Sequence, residues 1–309
     1  MKSISFYIVT SFIKLKGIKT VFSKAPIDYV RLRKKDIKTP NKKLLINQDT
    51  NTFKINKSIV TEMIPYNNKE EETIILYCPG GAFVYGPTDI NWKFCTKIAK
   101  ETQLRTYLID YPKAPEAKIE EINANIDAVY DYLAEQKSIK NIILIGDSVG
   151  GTLLMLLIQR VIQSQRKIKS KGIILISPVV DCSMTNPKIG AVDENDIMLS
   201  LKGVLSAKQM CAGNIDLKSE IISPIYGNYK NFIKTYIFIA ENDIMQPDQE
   251  LLVKKLITHN IFLKVFREYK NHHIWPLLPY MQEAKESVNE IINIIKNLNH
   301  NKKNEKIRK

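Results

Sequence analysis

Short apolar runs alternate along this chain with longer segments of helical spacing, and that alternation restricts the fold more than any other feature of the sequence. The runs at residues 73–77, 106–110, 142–145, 173–176, 236–239 and 261–266 are each short enough for a strand buried on both faces. Between them, Ile119, Ile122, Ile126, Val129 and Leu133 recur at intervals of three and four, as do Ala284, Val288, Ile291 and Ile295. Alternating strand and helix predicts an α/β architecture, a mainly parallel central sheet flanked by helices. No fixed-period repeat and no Gly/Ser- or Pro-rich linker divides residues 1–309, so a single domain is expected.

Two stretches break the rhythm. Residues 1–45 precede the strands, and residues 181–229 separate two of them by more than an ordinary connection. Both are expected to form a helical cap above the C-terminal ends of the strands, where open α/β sheets place ligands. Residues 4–13 are mostly apolar, flanked by Lys2 and Lys14, and too short to span a bilayer as a simple helix. No A-x-A-like cleavage site follows, so the reading is an amphipathic helix that covers the site or rests peripherally on a membrane surface. Residues 297–309 are polar and basic, and a disordered tail is expected there.

Charge and cysteine usage narrow the function classes. The formal net charge is +14, which attracts phosphate, but the lysines are scattered and no zinc-finger, basic-zipper or RNA-recognition pattern interleaves with them. A solvated basic surface is expected, not a nucleic-acid partner. Cys78, Cys95, Cys182 and Cys211 are far apart and lack C-x-x-C pairing or a nearby histidine, so neither a metal site nor a redox dithiol is indicated. Free buried thiols and a cytoplasmic location, with membrane association left open, follow as expectations.

Gly146-Asp147-Ser148-Val149-Gly150 lies where an apolar run ends and a long apolar helix pattern, 153–162, begins. A sharp strand-to-helix turn exposes a serine hydroxyl, and flanking glycines remove the clashes a Cβ would cause. With 12 glycines in 309 residues, a chance G-x-S-x-G arises in roughly 0.02 of such chains. A second turn, Pro79-Gly80-Gly81-Ala82-Phe83, leaves the strand run at 73–77. Six of the 12 glycines fall within residues 80–86 and 146–151. A nucleophilic serine needs donors for the transition-state oxyanion, and the amides of Gly80, Gly81 and Val149 are the candidates.

These residues resemble the hormone-sensitive-lipase-like family of α/β hydrolases, which carries H-G-G-G ahead of a G-D-S-A-G-G elbow. Asp110-Tyr111-Pro112-Lys113-Ala114-Pro115-Glu116 is similar to the family's D-Y-R-L-A-P-E, and Ser223-Pro224-Ile225-Tyr226-Gly227 to its S-P-L-x-G. The resemblance covers residues 73–273 and implies the α/β-hydrolase fold. It also implies a triad in which Ser148 is the nucleophile, Asp243 of Glu241-Asn242-Asp243 the acid and His273 of His272-His273-Ile274-Trp275 the base. His272 is the alternative base and Asp248 the alternative acid. The implied activity is hydrolysis of short- to medium-chain or acetyl carboxylic esters through an acyl-enzyme, without cofactor. A deacetylase or amidase on the same triad, or a binding protein without turnover, are the other readings. Pro79 in place of the family's histidine, and Ala82 in place of its last glycine, predict altered support of the oxyanion loop.

Overall fold

The computed structural model describes residues 2–68 and 72–300. The chain opens with three helices, α1 (Ile4–Leu15), α2 (Ile18–Phe22) and α3 (Tyr29–Arg33). A hairpin follows, β1 (Gln48–Ile55) and β2 (Ser58–Pro65), turned by Asn56 at φ 50° and Lys57. Then come β3 (Thr73–Cys78), α4 (Asp89–Thr102), β4 (Thr106–Asp110), α5 (Ile119–Glu135), β5 (Asn141–Asp147), α6 (Val149–Gln163) and β6 (Ser170–Ile176). Two cap helices, α7 (Ile189–Asp193) and α8 (Leu201–Ala212), precede β7 (Thr235–Asn242), α9 (Gln246–Thr258), β8 (Leu263–His272) and α10 (Gln282–His300).

The eight strands form one sheet in the order β1-β2-β4-β3-β5-β6-β7-β8. Pairing is antiparallel at β1–β2 and β2–β4 and parallel from β4 through β8. All six expected strands are present, and the α/β-hydrolase architecture is the one observed, but the run at 261–266 is not buried on both faces: β8 starts at Leu263, lies at the sheet edge and is part-exposed over most of its length. The β3 and β5 strands are buried along their whole length, because helices cover both faces and leave no solvated side for polar residues. The amphipathic stripes of α5 and α10 supply much of that cover, with Ile122, Ile126, Val129, Ile291 and Ile295 fully buried.

Helices from residues 1–45 and 181–229 reach one cavity, which Ile18 and Phe22 of α2 and Val204 and Lys208 of α8 help to line. The α2 and α8 helices meet without room for a side chain at Gly203, where a Cβ would stand 1.8 Å from the Phe22 carbonyl oxygen. Of the expected disordered tail, residues 297–300 instead continue α10, since Leu298 is buried on its apolar face. Residues 301–309 lie outside the described residues.

Candidate active site

The site begins at the junction of β5 and α6. Ser148 sits there with φ 51° and ψ −126°, a conformation costly for a residue with a Cβ and held only by its surroundings. Its amide donates to the Ile176 carbonyl at 2.8 Å. The turn closes because the chain passes very near a second backbone. A Cβ on Gly150 would lie 2.0 Å from the Cys78 carbonyl oxygen, at the head of the other glycine turn.

Two loops beyond β7 and β8 reach this serine. His273 Nε2 is 3.0 Å from Ser148 Oγ, and His273 Nδ1 is 2.8 Å from Asp243 Oδ2. Asp243 is fully buried, and its Oδ1 accepts the Met245 amide at 3.0 Å. A carboxylate offers only acceptors, so the imidazole proton stands on Nδ1 and Nε2 accepts from the serine hydroxyl. The loop that carries His273 is pinned to the end of β6, where the Ile274 amide donates to Ser177 Oγ at 3.0 Å. Burial pulls the His273 pKa down, but the charge and hydrogen bond of Asp243, with the more distant Asp196 and Asp147, outweigh it and the net shift is upward.

Asp196 escaped the sequence reading. It is buried in the cap, where Oδ1 accepts the Met198 and Leu199 amides at 2.8 and 2.9 Å and Oδ2 accepts the Ile244 amide at 3.1 Å. Burial first, then the charge of Asp243, raise its pKa to about 6. It fastens the cap to the loop that carries Asp243. No motif surrounds it in the sequence.

The glycine turn after β3 forms the wall opposite His273. Gly81, Ala82 and Phe83 all have positive φ, 132°, 50° and 65°, and the Gly81 carbonyl accepts from the Val84 and Tyr85 amides. The Gly80 amide, expected to face an oxyanion, donates to the Asp147 carboxylate. Among the described residues, the amides of Gly81, Ala82 and Val149 have no backbone acceptor, the last because it opens a helix. Ala82 was not among the sequence candidates, because a backbone amide carries no side-chain signature. Together these groups border a cavity of about 350 Å³ whose apolar wall includes Ile18 and Phe22 of α2, Leu199 and Val204 of the cap, Val179 and Met245.

A model of a family described as having the alpha/beta hydrolase fold matches residues 75–275, which hold every one of these groups except α2. The chain belongs to that family. It is 24% identical over 229 residues to an esterase of Acinetobacter venetianus, covering 71% of this chain and 73% of that one. Among solved structures it is similar to an esterase/lipase from an uncultured bacterium, with TM-score 0.84, 18% identity and coverage of 96% and 99%. It is likewise similar to an esterase from the bacterial hormone-sensitive lipase family, with TM-score 0.83, 17% identity and coverage of 96% and 99%.

Within this hydrolase fold, the glycine turn that follows Pro79 is held by side chains from several elements. The Tyr111 hydroxyl donates to the Pro79 carbonyl at 3.2 Å. Arg33 of α3 donates to the carbonyls of Val84 and Ala114 at 2.8 and 2.7 Å while pairing with Glu116, and Asp36 accepts the Gly86 amide at 2.6 Å. Asp147 accepts from the Tyr77 hydroxyl at 2.6 Å, and burial raises its pKa to about 6.

The two alternative residues lie elsewhere. His272 Nε2 meets Thr10 Oγ1 at 2.9 Å, and its ring stacks on Phe6. Asp248 Oδ1 accepts from Asn186 at 2.9 Å in a buried polar cluster behind the cavity. Among the described residues no group of His, Cys, Asp and Glu could hold a metal ion, the four cysteines are buried and unpaired, and no helix is long and apolar enough to cross a membrane.

Proposed function

We propose that the protein hydrolyses carboxylic esters through an acyl-enzyme on Ser148. The observation that carries this reading is the continuous chain Ser148 Oγ, His273 Nε2, His273 Nδ1, Asp243 Oδ2, with separations of 3.0 and 2.8 Å, at the floor of an apolar cavity. His273 takes the hydroxyl proton as Oγ attacks the ester carbonyl, and Asp243 orients the imidazole and stabilises its cationic form. The amides of Gly81, Ala82 and Val149 receive the oxyanion. Collapse expels the alcohol, which takes the proton from His273. Water, deprotonated by the same histidine, attacks the acyl-enzyme and releases the acid, restoring Ser148.

A cavity of about 350 Å³ with aliphatic and aromatic walls suits a short- to medium-chain acyl ester. The esterase names of the relatives support the same reaction class. A binding role without turnover fits less well, because a base and a strained nucleophile in hydrogen-bond contact offer a ligand nothing that an inert pocket would lack.

The test uses a fluorophosphonate probe and p-nitrophenyl esters of rising acyl length, with wild type beside Ser148→Ala. Wild type is expected to label and to turn over acetyl to medium-chain esters, and Ser148→Ala to lose labelling and about 10³-fold or more in kcat. An unlabelled, inactive wild type removes the proposal. Label that persists in the variant places the nucleophile on another serine.

A further inference from the structure

We propose that α1 is an interfacial docking helix that lays its outer face on an anionic lipid surface. Ile4, Tyr7, Ile8, Phe12 and Leu15 are 81%, 58%, 64%, 57% and 87% exposed, the largest run of exposed apolar side chains on any one element. At 100° per residue they share an arc of roughly 140°, too continuous for scattered surface residues and of the width an interfacial helix buries. Ser11 is the only polar residue inside the arc.

The exposure is built into the fold and does not come from a loose end. The inner face is tied along its length: Lys2 pairs with Glu268, the Ser3 amide and hydroxyl bind Glu283 at 2.8 and 2.9 Å, Ser5 Oγ accepts the Gln282 amide at 2.9 Å, and Thr10 bonds His272. Phe6 and Ile13 fill the core on that side. A helix already fixed through its inner face has no intramolecular use for five apolar groups on the outer one.

Charge selects the occupant. No acidic residue lies in α1, and Lys14 and Lys16 border the apolar arc, both exposed, with Lys16 over the Phe12 ring at 5.2 Å. Such lysines reach lipid phosphates while their stems stay with the apolar face. Next to α1, Ser5 shares a cleft with Lys97, Tyr280 and Lys285. The whole chain carries a formal charge of +14, which repels a second copy and attracts an anionic bilayer. The next element after α1 is α2, which contributes Ile18 and Phe22 to the cavity wall.

The proposal does not depend on turnover, so it is tested with Ser148→Ala protein as well as wild type. Both are sedimented with phosphatidylcholine vesicles containing or lacking phosphatidylglycerol, at low and high salt. Both should partition onto the anionic vesicles, more weakly in high salt, and the Ile8→Glu/Phe12→Glu/Leu15→Glu variant should partition about tenfold less or worse. Lys14→Glu/Lys16→Glu should lose the preference for anionic over neutral vesicles. Far-UV circular dichroism and thermal melting establish that each variant is folded, and none of the five residues borders the cavity. Wild type that stays in the supernatant, or a triple variant that sediments equally, overturns the proposal. So does a wild-type dimer by light scattering that the triple variant dissolves, which gives the face to a second copy.

Discussion

Adjacent histidines at the end of β8 face opposite ways and live in opposite electrostatic settings. His272 points to α1, where burial and then the charges of Lys14 and Lys2 lower its pKa to about 4. His273 points into the cavity, where Asp243 and the carboxylates beyond it outweigh burial and raise its pKa. A general base works in its neutral form, so kcat/KM for a neutral ester is expected to rise with pH through a midpoint above 6.5. A midpoint near 4 would transfer the role to His272. His273→Ala should abolish turnover, whereas His272→Ala should keep it and instead lower the melting temperature through lost packing against Phe6. Ser148 stood out through its glycine turn between strand and helix patterns, whereas Asp243 and His273 came from the family resemblance, and the structure brings the three side chains within hydrogen-bond reach. Ala82 and Asp196 did not stand out, because one offers the cavity only a backbone amide and the other is tied to the Ile244 amide 48 residues away.

The elements that support the site come from far apart in the chain. The glycine turn after β3 is braced by α3, through the two carbonyl contacts of Arg33 and its pair with Glu116. This links the D-Y-x-x-A-P-E-like segment to the turn. Arg33→Ala removes donors from two carbonyls at once, each such charge-assisted contact being worth about 1.5–3 kcal/mol in isolation. The expected result is a turn that holds its amides less well: kcat falls about tenfold while fluorophosphonate labelling of Ser148 persists. Unchanged kcat would show that Tyr111 and Asp36 suffice. The inner parallel strands, β3 to β7, were legible because burial on both faces forces continuous apolar runs. The β1–β2 hairpin was not, because β1 is an edge strand, exposed along most of its length, and Gln48-Asp49-Thr50-Asn51-Thr52 carries no apolar alternation. Its turn had a signal, Asn56 in the left-handed region, but without flanking alternation that signal has no strand to join.

Stability belongs to the whole molecule, and here buried carboxylates tie it to pH. Asp248, on α9, is 2% exposed, and its Oδ2 has no hydrogen-bond partner. Burial, aided by the charge of Asp181, raises its pKa from 3.8 to about 6 against the opposing effects of Asn186 and Lys208. A carboxyl whose folded pKa is raised contributes stability that is full below the unfolded value and lost as pH climbs through the folded one. Asp248→Asn keeps an oxygen for Asn186 and removes the titration, so the other ionisable groups cancel when variant and wild type are compared at each pH. The variant should match or fall slightly below wild type near pH 4 and gain on it as pH rises to 8, by about 1–3 kcal/mol. That corresponds to a few degrees in melting temperature for a chain of this size. Because Asp248 touches neither His273 nor Ser148, ester turnover should persist in the same variant. A stability difference that does not change with pH would mean that the carboxyl is solvated in the folded state, and lost turnover would move the acid's role from Asp243 to Asp248.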